Sequence, residues 1–180
     1  MIFARRALLP DGWARDVRIT LTEGRIAEVR RGARTEAGDQ QVDALLPALA
    51  NLHSHAFQRA MAGMTEYRAK GRESFWTWRD LMYRFLDRLA PEQVQAIAAQ
   101  VYLEMQEAGY ASVGEFHYVH HQPGGAPYAD IAELSARIMA AAAETGIGLT
   151  HLPVLYTYGG AGKVAPKGFS RSGRFSDVMG

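Results

Sequence analysis

The sequence contains no cysteine, which excludes disulfides and thiolate chemistry and suits a reducing compartment. Long apolar runs are missing too. No stretch approaches the roughly 20 apolar residues of a spanning helix, and Met1-Ile-Phe-Ala-Arg-Arg lacks the basic and apolar segments of a signal peptide. Neither sign of charge is in excess: 20 Lys and Arg against 19 Asp and Glu leave a net +1. Electrostatics therefore gives no ground for a nucleic-acid or membrane partner. Internal repeats and low-complexity tracts are absent. What remains is ordinary for a globular domain, 180 residues of which 48% are apolar and 22% charged, long enough to bury a core. The expectation is a soluble cytoplasmic chain.

Period-2 alternation in Arg15-Asp-Val-Arg-Ile-Thr-Leu-Thr predicts a strand, Glu23-Gly24-Arg a turn, and Ile26-Ala-Glu-Val-Arg the second arm of a hairpin. From Arg31 to Asp43 the chain is polar and glycine-bearing and reads as a surface connection. An apolar strand then runs from Leu45 to Leu52, with Pro47 near its start. Residues 56–73 read as a helical turn or ordered loop followed by an exposed charged stretch. Large apolar residues from Phe75 to Leu86 fall at helical spacing, and their aromatics suit core packing or the lining of a crevice. A clearer helix begins at Pro91, with Val94, Ile97, Ala98, Val101 and Met105 on one face and Gly109 as its stop.

Ser112 to Val119 reads as a buried strand, and His120 to Pro127 as a loop. Asp130 with Glu133 resembles a capping box opening a third helix, whose inner face is Ile131, Leu134, Ile138 and Ala142 and whose end is Gly146. Ile147 to Tyr156 is a third apolar strand, and the tail from Gly159 reads as loop or disorder. Strands alternating with helices predict an α/β fold with a parallel sheet. Polar groups gather where the strands end, at His53 and His55, at His117 and Tyr118, and at Tyr156 and Tyr158. In parallel α/β folds that edge binds ligands.

The chain is organised around Asn51-Leu-His53-Ser-His55-Ala-Phe-Gln58-Arg-Ala. On a strand, residues two apart share a face, so His53 and His55 can grip one metal ion. Zinc accepts two imidazoles at about 2.0–2.1 Å and needs further ligands. With six histidines in 180 residues, chance supplies roughly 0.2 His-x-His pairs. The pair alone therefore leaves both metal binding and coincidence open.

Three separated motifs in order carry more weight: Asn51-Leu-His-Ser-His-Ala-Phe-Gln-Arg-Ala-Met-Ala-Gly, Ser74-Phe-Trp-Thr-Trp-Arg79, and Gly114-Glu-Phe-His-Tyr-Val-His-His. Together they resemble the formimidoylglutamate deiminases of the amidohydrolase superfamily, over roughly residues 2 to 160. The resemblance implies a (β/α)₈ barrel beside a small β-sandwich. Residues 1–46 would form the N-terminal sandwich portion, and residues 47–180 the first strands and helices of a metal-dependent hydrolase barrel, incomplete in this chain. It implies one zinc ion with His53 and His55 among its ligands, and Gln58, Arg79 and Tyr118 as substrate-binding residues. An amide and a phenol hydrogen-bond polar groups without adding charge, and a guanidinium matches a carboxylate.

The implied reaction is metal-assisted hydrolysis of N-formimino-L-glutamate to N-formyl-L-glutamate and ammonia, in histidine degradation. Members of the family are commonly homodimers. Such a barrel needs about 250 residues, so the expectation is an N-terminal portion, inactive alone. The remaining ligands and the catalytic acid/base are expected beyond Gly180. Two other readings stay open: another amidohydrolase deaminase or chlorohydrolase, and a non-catalytic remnant. His151 is expected to be structural. His120 and His121, being adjacent, would point apart on an extended chain and so argue against a local zinc site.

Overall fold

The computed structural model describes residues 1–64 and 75–154. The chain divides into two units between Ala48 and Leu49.

The first unit is a four-stranded sheet of β1 (Ile2–Leu9), β2 (Gly12–Thr22), β3 (Arg25–Arg30) and β4 (Gln40–Leu45), in the order β3-β2-β1-β4. β1 and β2 pair antiparallel, as do β2 and β3, whereas β4 runs parallel to β1. The hairpin turn at Glu23-Gly24 takes φ of 51° and 73°, a backbone region that glycine adopts without steric cost. Ala4, Ala7, Val17 and Ile19 form a small core. Beside it Arg18, 8% exposed, gives Nε and Nη2 to the two carboxylate oxygens of Asp39 at 2.8 and 3.0 Å. β4 corrects the expectation of a featureless connection over residues 31–43. Its sequence, Gln-Gln-Val-Asp-Ala-Leu, is polar because both faces are largely exposed. Backbone pairing to β1 holds it, and that leaves no hydrophobic signature.

The second unit begins with β5 (Leu49–Ser54), which passes into a 3₁₀ helix (Ala56–Met61). Then come α1 (Phe75–Leu86), α2 (Pro91–Glu107), β6 (Tyr110–His117), α3 (Glu133–Thr145) and β7 (Gly148–Pro153). All three strands are parallel, in the order β5-β6-β7, as the strand–helix alternation predicts. The strand expected at Leu45–Leu52 is instead two. β4 ends at Leu45, Pro47 lies between the strands, and β5 carries the histidine pair within or just past its end.

Along β6 burial alternates, with Val113, Glu115 and His117 inward. Val113 joins a core with Val94, Ala98 and Tyr102 of α2 and Leu134, Ile138 and Ala142 of α3. α3 opens differently from the expected capping box. Asp130 Oδ1 accepts from the backbone N–H of Ala132 at 2.8 Å, which caps a turn ahead of the helix. Glu133, rather than reaching back, pairs with Arg137. Ile131 lies in that preceding turn, half exposed, and not on the inner face. Gly146 ends α3 in the left-handed conformation, φ 77°. Among the described residues no helix is long and apolar enough to cross a membrane. Tyr156, Tyr158, the expected tail from Gly159 and the charged stretch from Glu66 to Glu73 lie outside the described residues.

Candidate metal centre

β5 and β6 do not pair in uniform register. Asn51 faces Val113, yet Ser54 faces Glu115, so β5 carries one extra residue in the span that holds Leu52 and His53. This is a β-bulge, a device that re-aims side chains. Gly114 permits it: a Cβ there would lie 3.0 Å from the carbonyl oxygen of Leu52. Asn51 Oδ1 accepts from the backbone N–H of His53 at 3.2 Å and steadies the bulge from within the strand.

Beyond the bulge the two imidazoles converge. His53 Nε2 and His55 Nε2 are 3.0 Å apart, with the rings nearly perpendicular at 84°. His55 Nδ1 lies 2.8 Å from the carbonyl oxygen of Phe116. A carbonyl only accepts, so the proton belongs on Nδ1, and Nε2 presents its lone pair toward His53. Burial holds the His55 pKa below the usual histidine value, against the Phe116 hydrogen bond, with His53 adding to the depression. The ring is therefore neutral at pH 7, the form that binds metals.

Next to the pair lies the substrate group expected from sequence. The His55 ring meets Tyr118 edge-on at 4.8 Å. Gln58, on the 3₁₀ helix, donates from Nε2 to Tyr118 Oη at 3.0 Å, and Met82 Sδ of α1 lies 3.8 Å from both polar groups. Tyr118 is 7% exposed. One turn before Met82, Arg79 gives Nε to the Tyr83 hydroxyl, with its guanidinium 5.4 Å from that ring's centre. The structure thus brings His53, His55, Gln58 and Tyr118 into one connected group and sets Arg79 on the helix that supplies Met82. The Ser74 to Thr77 part of the Trp-Thr-Trp-Arg motif lies outside the described side chains.

Sequence reasoning assigned no role to Glu115. It is 1% exposed and its Oε1 accepts from the backbone N–H of Ala56 at 2.7 Å. Burial pushes its carboxyl pKa up, while the Ala56 hydrogen bond opposes the shift. The available signal was an acidic residue at an inward position of an otherwise buried strand.

The remaining histidines behave differently. His151 Nε2 is 3.0 Å from Ser135 Oγ, and His120 Nε2 is 2.9 Å from the Val154 carbonyl oxygen. His117 packs between them, 5.1 Å from the His151 ring and 5.4 Å from that of His120. Burial drives the His117 pKa down to about 3, and the neighbouring His120 and His151 add to the shift. Among the described residues no group of three His, Asp or Glu side chains is arranged to hold a metal ion.

The amidohydrolase family profile matches residues 44–158. The chain belongs to the amidohydrolase family. Residues 1–43 match the N-terminal domain of formimidoylglutamate deiminase HutF. Formimidoylglutamate deiminase of Pseudomonas aeruginosa is 57% identical over 162 residues, covering 89% of this chain and 36% of that protein. A crystal structure of an amidohydrolase from Brucella melitensis superposes with a TM-score of 0.90 at 46% identity, covering 98% of this chain and 39% of the other. Atrazine chlorohydrolase from Arthrobacter aurescens, solved with zinc, has a TM-score of 0.65 at 21% identity over 85% of this chain and 35% of its own; this shows shared fold alone. The parallel sheet of this amidohydrolase chain is thus an incomplete barrel, and the chain spans about a third of the curated relative's length.

Proposed function

We propose that this chain supplies the first half of the metal site, and part of the substrate pocket, of a hydrolase that converts N-formimino-L-glutamate to N-formyl-L-glutamate and ammonia in histidine degradation. The observation that carries the reading is the pair of Nε2 atoms 3.0 Å apart, one with its tautomer fixed by a backbone carbonyl. Two ligands at tetrahedral positions 2.0–2.1 Å from one zinc lie about 3.3 Å apart, so the donor set fits one divalent ion. The 57% identity to a formimidoylglutamate deiminase supports the substrate. Two imidazoles are half of a tetrahedral set, and the other ligands lie outside the described residues.

His53 and His55 would hold zinc, which when bound supplies Lewis acidity and lowers the pKa of a water to about 7. Phe116 orients His55 through Nδ1, in the manner by which outer partners set ligand tautomer and basicity. Gln58 and Tyr118, already hydrogen-bonded to each other, offer an amide and a phenol to the uncharged polar groups of the substrate. Arg79, its plane fixed by Tyr83, offers a guanidinium to a carboxylate. The acid/base that gives ammonia its proton is expected outside the described residues, and the 180-residue chain by itself is expected to release none.

A chimera tests the proposal. This chain replaces the matched segment of the Pseudomonas aeruginosa deiminase, and ammonia release from N-formimino-L-glutamate is measured with adenosine and a chlorotriazine as alternative substrates. Turnover of the first alone, abolished by His53→Ala, supports the reading. A folded, zinc-loaded chimera inactive on N-formimino-L-glutamate refutes it.

A further inference from the structure

We infer that Glu115 is a positioning residue for the histidine pair, acting on the backbone from the opposite face of the sheet. The inference rests on the reading of His53 and His55 as metal ligands. Glu115 shares the buried face of β6 with Val113 and His117, away from the pair, and lies beside Tyr102 of α2. Its register partner, Ser54, is the residue between the two histidines, and it is buried as well. From there Oε1 accepts the N–H of Ala56, the residue that follows His55, at 2.7 Å.

This bond falls where it is needed. β5 ends at Ser54 and the 3₁₀ helix starts at Ala56, so the Ala56 N–H stands at the junction of two elements. His55 makes no side-chain cap there. A buried N–H without an acceptor costs about 1–3 kcal/mol, and Glu115 removes that cost by fixing the chain direction immediately after the second histidine. The preceding residue on β6, Gly114, admits the bulge before His53, and the following one, Phe116, gives its carbonyl to His55 Nδ1. Three consecutive residues of β6 thus set the entry, the exit and the ring orientation of the His53–His55 segment. A buried carboxylate is an expensive choice for structure alone, since a hydrophobic residue fills an inward strand position at lower cost. Its carboxyl accepts from Ala56 and lies beside the Ser54 and Tyr102 hydroxyls, so the acceptor it carries accounts for its place there.

Two substitutions separate the acceptor from the carboxyl group. Glu115→Gln keeps a carbonyl oxygen at the same reach and cannot ionise. Glu115→Asp keeps the carboxyl group and withdraws the acceptor by one methylene, about 1.5 Å. Both are made in this chain within the chimera with the Pseudomonas aeruginosa deiminase described above. Zinc affinity is read by competition with a chromophoric chelator, Ala56 amide exchange by hydrogen–deuterium NMR, and folding by circular dichroism. The expected result is Glu115→Gln within about 3-fold of the unsubstituted chimera in zinc affinity, with Ala56 still protected. Glu115→Asp is expected to bind zinc about 10- to 100-fold more weakly, with Ala56 exchanging faster, while the helical signal is unchanged. Equal affinity in Glu115→Asp and the unsubstituted chimera overturns the inference, and so does a Glu115→Gln variant as weak as Glu115→Asp. Failure of the unsubstituted chimera to take up any zinc overturns the reading of the pair itself, and the role of Glu115 falls with it.

Discussion

Two groups of histidines lie within one unit, and the chain treats them in opposite ways. His53 and His55 converge at the exposed end of β5, where their Nε2 atoms face each other and a backbone carbonyl takes the His55 Nδ1 proton. His117, His120 and His151 sit around the ends of β6 and β7. His120 and His151 spend Nε2 on Val154 and Ser135, and His117 is buried with no hydrogen-bond partner for its Nε2 among the described residues. Imidazole chemistry is the same in both; what differs is where the ring nitrogens point. In the first group the two Nε2 atoms are turned toward each other at the exposed end of the strand. In the second, His120 and His151 direct Nε2 to groups of other elements and His117 is enclosed by packing, so proximity of histidines alone does not make a metal site.

The largest expected effect on stability tests the buried group. The folded-state pKa of His117 is depressed to about 3, whereas an unfolded chain titrates near 6.5. Between those values the unfolded state binds a proton that the folded state refuses. The stabilising contribution is therefore complete above about pH 6.5 and is lost as pH falls toward 3, at a limiting slope of about 1.4 kcal/mol per pH unit. His151, also depressed by burial, adds in the same direction. Urea unfolding at pH 7 and pH 5 should show a loss of roughly 2 kcal/mol from His117, much reduced in His117→Gln. Equal stability at the two pH values would mean that His117 is not shielded as its packing indicates.

Next comes a direct contrast between the groups. On the proposed reading His55→Ala removes one of two converging imidazoles and is expected to weaken zinc binding by at least about 100-fold, since a single ligand then remains on this chain. His151→Ala is expected to leave zinc affinity unchanged and to lower stability by about 1 kcal/mol through the lost Ser135 contact. Chelator competition and thermal melting of both variants decide the matter; zinc affinity that drops in His151→Ala would erase the distinction.

Which parts of this arrangement were legible in the sequence follows from what each depends on. The parallel sheet of the second unit was readable because β6 and β7 are apolar runs bounded by helices of clear 3.6 period, and α2 and α3 bury Val94, Ala98, Leu134 and Ile138 as that period requires. β4 was not, because an exposed edge strand held by backbone pairing carries no apolar pattern. The convergence of His53 and His55 was readable from spacing, and motif resemblance named Gln58, Arg79 and Tyr118, whose part in binding substrate is the proposal made above. The bulge was invisible: one extra residue in β5 is a property of pairing with β6, and Leu52-His53 looks the same with or without it. Glu115 was hidden for a related reason, because its partner is a backbone N–H 59 positions away and no side-chain pattern announces a main-chain bond.

The smallest expected effect probes that hidden layer. Gly114 has an ordinary negative φ and needs no conformational freedom, so its requirement is space. A methyl at Cβ would sit 3.0 Å from the Leu52 carbonyl oxygen, which is backbone and cannot rotate aside. Gly114→Ala must therefore shift β5 by a few tenths of an ångström at the bulge, at a cost of about 1–2 kcal/mol of overpacking strain. The shift falls one residue before His53 and leaves the second group untouched, because β6 and β7 pair in unbroken register from Ser112 to His117. The expected outcome is zinc affinity reduced by about 3- to 10-fold, with the acid-induced loss of stability keeping the slope of the unsubstituted chain. An unaltered zinc affinity would show that the pair tolerates movement of its strand, and that its geometry is set after Ser54 by Glu115 and Phe116 alone.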